Sequence, residues 1–419
     1  MEKTYLCIDL KSFYASVEAV ERGIDPLREN LVVADPSRGR GAICLAITPA
    51  MKALGIPNRC RLYEIPEHVP YITALPRMKR YMEYSAKIYG IYLRYISKED
   101  IHVYSIDECF FDVTSYLSLY QKTPRELAQM LIDAVFRETG ISAAAGIGTN
   151  LFLAKVALDI TAKHVPDCIG YLDEEEYKST IWHHRPITDI WNVGPGIAKR
   201  LQKYRIFDMA GVARANPKML YRDFGVNAEY LIDHANGVEP CTMEEIHDYT
   251  PSENSIGSSQ ILPEDYSFED ARLILKEMIE LLVLEMIDLG AMTNAVSLSV
   301  GYSKAGEKSS GGSRKLKDFT NSERQLRKVL LALFEETTEK TVPIRRIGIS
   351  FNHLTAPEYV NMDLFSEVVR DEKEQKKNQA ILAIKKKYGK NAILKGMNFQ
   401  EKATTRERNK LIGGHNSGE

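Results

Sequence analysis

The sequence predicts a multi-domain α+β protein, and three observations carry that prediction. Short apolar runs, too brief for buried helices, alternate with stretches of helical periodicity through the first 165 residues. A helix-then-strand pattern occurs twice between residues 254 and 354. Finally, 419 residues with 44% apolar content are more than one small core needs, and at about 100 to 200 residues per domain they imply two to four domains.

The elements follow in chain order. Residues 5–10 form a strand-length apolar run; residues 13–22 take up helical spacing, with Gly23 as the stop. Residues 31–76 are broken by Pro36, Gly39, Gly41, Pro49, Gly55, Pro57 and Pro66, which predicts a small irregular subdomain. Helical periodicity returns at 77–97, through Tyr81, Tyr84, Ile88, Tyr92 and Tyr95. Two strands, 101–106 and 109–113, meet at Asp107-Glu108. A helix near 124–138, a strand near 141–147 and a helix from about 150 complete a mixed sheet-and-helix core.

Residues 187–240 contain two short helix-turn-helix units, the first written Trp191-Asn192-Val193-Gly194-Pro195-Gly196-Ile197. Residues 241–254 are polar and acidic and read as a linker. The duplicated pattern follows: a helix at 268–289 leading to a strand at 296–300, then a helix at 321–340 leading to a strand at 347–351. The stretch between them, 302–317, is rich in Gly, Ser, Lys and Arg and reads as a flexible basic loop. Residues 366–419 carry thirteen basic and seven acidic side chains, a basic tail expected to form one helix and a mobile end.

Composition narrows the function. A net charge of −2 argues against a wholly basic nucleic-acid coat. Six cysteines without a C-x-x-C pair disfavour a zinc site or a disulfide framework and fit a reducing cytoplasm. No apolar run approaches the ~18 residues of a membrane helix, so no membrane partner is expected.

The chemistry lies in acids set among apolar residues. Asp9 sits inside the first strand, and Asp107 with Glu108 interrupts two others. Two like charges ~4 Å apart repel by roughly 4 kcal/mol at an effective dielectric of about 20, so three converging carboxylates need a compensating cation. Hard oxygen donors select Mg²⁺, and two such ions can drive an in-line phosphoryl transfer. The alternative is that Asp9 caps a helix and Asp107-Glu108 forms a turn.

Cys7-Ile8-Asp9-Leu10-Lys11-Ser12-Phe13-Tyr14-Ala15-Ser16-Val17-Glu18 and Tyr104-Ser105-Ile106-Asp107-Glu108-Cys109-Phe110 resemble the two signature motifs of Y-family DNA polymerases. The likeness runs through Ala143 to Lys155 and on to Arg345-Arg346-Ile347-Gly348, and within the family it is greatest to the UmuC-like, UvrX-type branch. The resemblance implies a right-handed polymerase: a ferredoxin-like palm at 1–21 and 77–165, small fingers at 22–76, and a helix-hairpin-helix thumb at 166–241. A linker at 242–253, a βαββαβ little finger at 254–354 and a tail at 355–419 follow.

It further implies that Asp9, Asp107 and Glu108 are catalytic and, with the Leu10 carbonyl, hold two Mg²⁺ ions. Tyr14, with Phe13 beside it, falls at the steric gate, whose ring leaves no room for a ribose 2′-hydroxyl. In the fingers, the family's triphosphate-binding Tyr and Arg positions carry Pro49 and Lys52 here, a departure that replaces a bidentate fork by a point charge; Lys163 matches the palm lysine. Gly194, Gly196, Lys199 and Arg200 of the thumb, and Lys304, Lys308, Arg314, Lys315 and Lys317 of the little finger, would contact DNA phosphates. Asn361-Met362-Asp363-Leu364-Phe365 resembles a sliding-clamp peptide, with Met362, Leu364 and Phe365 as anchors and Asn361 in place of Gln. The basic tail is a candidate surface for DNA or a recombinase filament.

The expected activity is error-prone extension of primers on templates with damaged bases, using dNTPs, with no segment assigned to proofreading. The rivals are another two-metal palm enzyme such as a nucleotide cyclase, and a non-catalytic or accessory-dependent DNA-binding repair protein that keeps the polymerase outline.

Overall fold

Six apolar-rich residues make β1 (Tyr5–Leu10), buried along almost its whole length, which explains its position in the middle of a sheet. The structure, a computed structural model, describes residues 3–251, 254–303, 306–357 and 368–418, and it divides into two units at about residue 249. In the first unit β1 leads to α1 (Phe13–Glu21), then to a small three-stranded sheet of β2 (Leu31–Val33), β3 (Ala46–Ile47) and β4 (Ile72–Ala74), with α2 (Pro49–Ala53) beside it. Next come α3 (Met78–Tyr92), β5 (Ile101–Val103), β6 (Glu108–Asp112), α4 (Thr114–Tyr120), α5 (Pro124–Thr139), β7 (Ala143–Gly148), α6 (Leu151–Asp159) and β8 (Ile169–Leu172).

These strands form a five-stranded sheet in the order β5-β6-β1-β7-β8, antiparallel except for the β7–β8 pair. The parallel edge strand β8 carries the sheet past residue 165, where the sequence places the end of the palm. The Ala-Ala-Ala-Gly-Ile-Gly run of β7 is small because α6 lies directly on it. A Cβ at Gly146 would stand 2.0 Å from the Ala154 carbonyl oxygen, and one at Gly148 would stand 2.2 Å from the Ala154 nitrogen. Asn150 starts α6 by accepting a hydrogen bond from the Leu153 amide at 2.8 Å.

The unit continues through the one-turn α7 (Glu174–Glu176), then α8 (Pro195–Gln202), α9 (Met209–Ala213), α10 (Pro217–Phe224) and α11 (Asn227–Ala235), which share a core of Phe152, Val193, Leu201, Leu220 and Leu231. The expected linker is partly a helix, α12 (Met243–Asp248). Thr242 and Glu245 form a capping box at its start, and Met243 is buried against Tyr5 and Phe110.

The second unit has the expected βαββαβ order: β9 (Ile256–Tyr266), α13 (Phe268–Asp288), β10 (Thr293–Tyr302), β11 (Ser310–Thr320), α14 (Glu323–Thr337) and β12 (Ile344–Asn352). Its sheet is antiparallel, ordered β11-β10-β12-β9. The basic stretch read as a loop is largely the edge strand β11. Alternation divides the sheet cleanly: Val296, Leu298, Val300, Ile347, Ile349 and Phe351 pack against both helices. The opposite face is built from Ser297, Ser299, Gly348, Ser350, Gly257 and Ser259, which the strand register sets side by side.

The tail belongs to this unit. Helix α15 (Val368–Tyr388) lies against α13, and the expected mobile end is seated on the helices. Glu277 of α13, 1% exposed, accepts hydrogen bonds from Asn398 Nδ2 and the Thr404 amide, both at 2.8 Å. Those bonds place it at the start of α16 (Thr405–Arg408), and a small hairpin of β13 (Leu411–Ile412) and β14 (His415–Asn416) closes the chain. Lys395 meets Glu323 at 2.6 Å and Glu280 at 3.4 Å. Among the described residues no helix is long and apolar enough to cross a membrane.

Candidate active site

The acids come together because β1 and β6 are neighbours. Their register sets Asp9 directly opposite Glu108, and side chains of directly opposed residues leave the sheet on the same face. Asp107 is the last residue of a tight turn: the Tyr104 and Ser105 amides both donate to the Glu108 carbonyl at 3.0 Å, and the Leu10 amide donates to the Asp107 carbonyl at 2.9 Å. The Ser105 hydroxyl donates to Asp107 Oδ1 at 2.7 Å. Thus Asp9, Leu10, Asp107 and Glu108 occupy one end of the β1–β6 pair.

The electrostatics of this end are unbalanced. Burial, then the charges of Asp107 and Glu108, push the Asp9 carboxyl up to about 7. The compensating cation is Lys155, 7% exposed, whose ammonium lies 2.8 Å from Glu108 Oε1 and 3.0 Å from Asp159. Burial works against that ammonium, but Cys7, Asp159 and Glu108 around it hold its pKa above the ordinary value. Glu108 also accepts a hydrogen bond from the Cys7 thiol at 3.0 Å. Glu108 is therefore turned toward Lys155. Among the described residues no group of three His, Cys, Asp or Glu side chains is gathered to hold a metal ion by itself. The donors are nonetheless all hard oxygens, and the negative potential that Asp107 and Glu108 create at Asp9 suits a divalent cation such as Mg²⁺ whose shell is completed by water and phosphate.

Around the acids, Phe13 is buried, while Tyr14 is half-buried and stacks on Tyr81 with ring centroids 4.4 Å apart. Burial and the charge of Asp107 raise the Tyr14 phenol above its usual pKa, with Arg59 opposing, so the ring stands within the field of the acid turn. Lys52 and Lys163 are both largely exposed; crowding of the Lys52 ammonium lowers its pKa, partly offset by Asp9 and reinforced by Lys163. Lys52 thus stands in the electrostatic reach of Asp9, and Lys163 in that of Lys52. Sequence reasoning overlooked Lys155 and Arg59. A lysine in the middle of an otherwise apolar helix was the available signal for the first; nothing local marked the second.

The DNA candidates divide. Gly194, at the N-cap of α8, and Gly196 are exposed, and a Cβ at either would meet nothing within 4 Å, leaving open space in front of the first amides of the helix. Lys199 is exposed, but Arg200 is committed inside its own unit: it donates to the Asp223 carbonyl at 2.9 Å and lies 4.3 Å over the Phe224 ring. In β11, Lys315 pairs with Ala295 and lies on the open face, as does Lys317 two residues on, whereas Arg314 pairs with the buried Val296 and forms an ion pair with Glu336 on the helix side. The structure therefore does not bring Arg314 onto the face that carries the two lysines. Lys308 is exposed. Lys304, and Met362, Leu364 and Phe365 with Asn361, lie outside the described residues.

A central sheet with acids at one end, a helical hairpin unit and a separate βαββαβ unit together make the architecture of a Y-family polymerase. A solved Y-family DNA polymerase chimera, Dbh-Dpo4(243-245)-Dbh, superposes with a TM-score of 0.65, covering 84% of this chain and 99% of that one at 21% identity. The impB/mucB/samB family model matches residues 8–159, and that family's C-terminal domain matches residues 253–364. The chain belongs to this family, and so to the Y-family DNA polymerases. Among its relatives is UvrX of Bacillus subtilis, whose name assigns it to UV-damage repair, 31% identical over 99% of this chain and 98% of its own. DNA polymerase IV 2 of the same organism is 31% identical over 99% of both chains, and that of Halalkalibacterium halodurans is 31% identical over 99% of this chain and all of its own.

Proposed function

We propose that this chain is a low-fidelity, template-directed DNA polymerase that extends primers past damaged bases by two-metal nucleotidyl transfer. The observation that carries the reading is Asp9 lying opposite Glu108, with Asp107 beside it and Lys155 as the buried cation among them. In this reading the five-stranded sheet is the palm, the small Pro- and Gly-broken sheet the fingers, the helices from α8 to α11 the thumb, and the second unit the little finger.

Asp9 and Asp107, with the Leu10 carbonyl and Glu108, would hold two Mg²⁺ ions, which lower the pKa of the primer 3′-hydroxyl and neutralise charge on the leaving pyrophosphate. Lys155 keeps Glu108 oriented in a buried setting. Tyr14, braced by Tyr81, is a rigid wall where the sugar's C2′ would lie. Lys52 and Lys163 place positive charge for the triphosphate without the bidentate fork of an arginine. Amides at Gly194 and Gly196, with Lys199, would take backbone phosphates; Lys315 and Lys317 would flank the duplex in the little finger. Low fidelity follows from fingers too small to clamp a nascent pair, because strong discrimination requires induced fit or editing.

Further partners belong to the same proposal: a sliding clamp through Met362, Leu364 and Phe365, a recombinase filament on the basic tail, and a cytoplasmic location. Clamp binding is checked by titrating the full chain and its Leu364→Ala variant against the clamp; equal affinities would discard that peptide.

Primer extension with dNTPs and Mg²⁺ on damaged and undamaged templates tests the main reading. The parent is expected to extend both, and Asp107→Ala neither. The second reading, a non-catalytic or accessory-dependent repair protein, draws on Pro49 and Lys52 in the fingers. Equal extension by parent and variant favours it.

A further inference from the structure

Trp191 packs against two cores at once, the helical core around Phe152, Val193 and Leu201 and the sheet-side cluster of Tyr5, Cys7 and Phe110. Its indole N–H donates to the Tyr104 hydroxyl at 3.1 Å, and its ring centroid lies 6.0 Å from that of Tyr104 and 5.9 Å from that of Phe110. Tyr104 precedes Asp107 by three residues and Phe110 follows Glu108 by two, so the indole touches the acid turn on both flanks. Behind it stands His234, 5.9 Å away, which stacks on Phe152 at 4.1 Å and hydrogen-bonds Glu239 at 2.9 Å. Three residues beyond Trp191 comes Gly194, the N-cap of α8.

Core packing alone has no use for this hydrogen bond. Tyr104 is 45% exposed and its hydroxyl can bond water instead, so a bond to the indole adds little stability and much geometry.

We propose that Trp191 and Tyr104 are positioning residues for nucleotidyl transfer. Their hydrogen bond ties the hairpin that would take a backbone phosphate to the turn that carries Asp107 and Glu108. The proposal rests on the polymerase reading above and adds a coupling to it: primer backbone and reacting carboxylates are held as one body. Loosening that body costs rate rather than binding, since sub-ångström placement governs the reacting distance.

Tyr104→Phe removes the acceptor, and Trp191→Phe removes the donor while keeping a ring. In single-nucleotide incorporation each is expected to lower kcat about tenfold, with KM for dNTP within about twofold, and the double variant to be no slower than either single one. Primer–template Kd, measured by anisotropy in EDTA, is expected to stay at the parent value, and melting temperatures to stay within about 2 °C. Parent-level kcat in the variants, losses that multiply in the double variant, or a large fall in melting temperature would each overturn the coupling. A parent no faster than Asp107→Ala overturns the polymerase reading and the coupling with it; a fast parent with unaffected variants overturns the coupling alone.

Discussion

Glu18, buried, and Asp9, half-buried, are carboxylates on adjoining elements of one unit, and the protein treats them in opposite ways. Glu18, on α1, accepts two hydrogen bonds from Arg77 at 2.9 Å, one from the Tyr81 hydroxyl at 2.8 Å and another from Arg22. Burial raises its carboxyl, but the bonds from Arg77, Arg22 and Tyr81 outweigh that and hold it below the ordinary carboxylate value. Asp9 meets two more acids instead and stands at about 7. Glu18 is fully paired by the chain itself, whereas Asp9 is left short of positive charge, as the proposed metal site requires. Tyr81 links the two cases, because the residue that bonds Glu18 also stacks on Tyr14.

The contrast is broken most severely by removing an acid from each side. Asp107→Ala is expected to cut primer extension by about 10³-fold or more while leaving urea unfolding close to the parent. Glu18→Ala is expected to do the reverse, costing about 3 kcal/mol in urea unfolding by stranding Arg77, with activity per folded molecule retained. Next in size, Tyr14→Ala should narrow the preference for dNTP over NTP by about 10²-fold, read from paired single-nucleotide assays; an unchanged ratio removes the gate assignment.

Stability against pH sharpens the contrast because the two signs differ. With its folded value lowered, Glu18 contributes stability that is complete above the unfolded value of about 4.3 and is lost as pH falls through the folded value; Glu18→Gln should flatten that acid limb. With its folded value raised, Asp9 contributes stability present below the unfolded value of about 3.9 and lost as pH rises toward about 7. In EDTA, Asp9→Asn should therefore be more stable than the parent at about pH 8, with the gap closing near pH 4. The smallest effect belongs to the second unit: Lys315→Ala with Lys317→Ala should reduce the salt dependence of DNA binding by about two counterions.

Much of this was legible in the residues. An aspartate inside an apolar run and an acid pair between two others marked the end of the sheet where the carboxylates gather, since charge is costly among apolar residues unless something meets it. The strand near 141–147 was legible as a strand, while the reason its residues are small, the close approach of α6, shows only in the structure. What escaped depended on register or on distant partners. β11 looked like a loop because an edge strand with one wet face carries little apolar signal, and Arg314 was grouped with Lys315 although neighbours on a strand face opposite ways. Arg200 looked free until α10 placed Phe224 beneath it. The capping box of α12 was present in Thr242 and Glu245 but sat in acidic surroundings read as a linker. The seat of the tail could not be foreseen, because Glu277 lies more than 120 residues before Asn398 and Thr404.

The open face of the second sheet carries one more consequence. Serines and glycines fill its centre while Arg346, Lys315 and Lys317 stand on the same side, so in the proposed reading a duplex laid along it would meet low backbone flanked by positive charge. Contact of that kind would hold the duplex by its phosphates rather than by its letters, leaving any preference for sequence to the acid end.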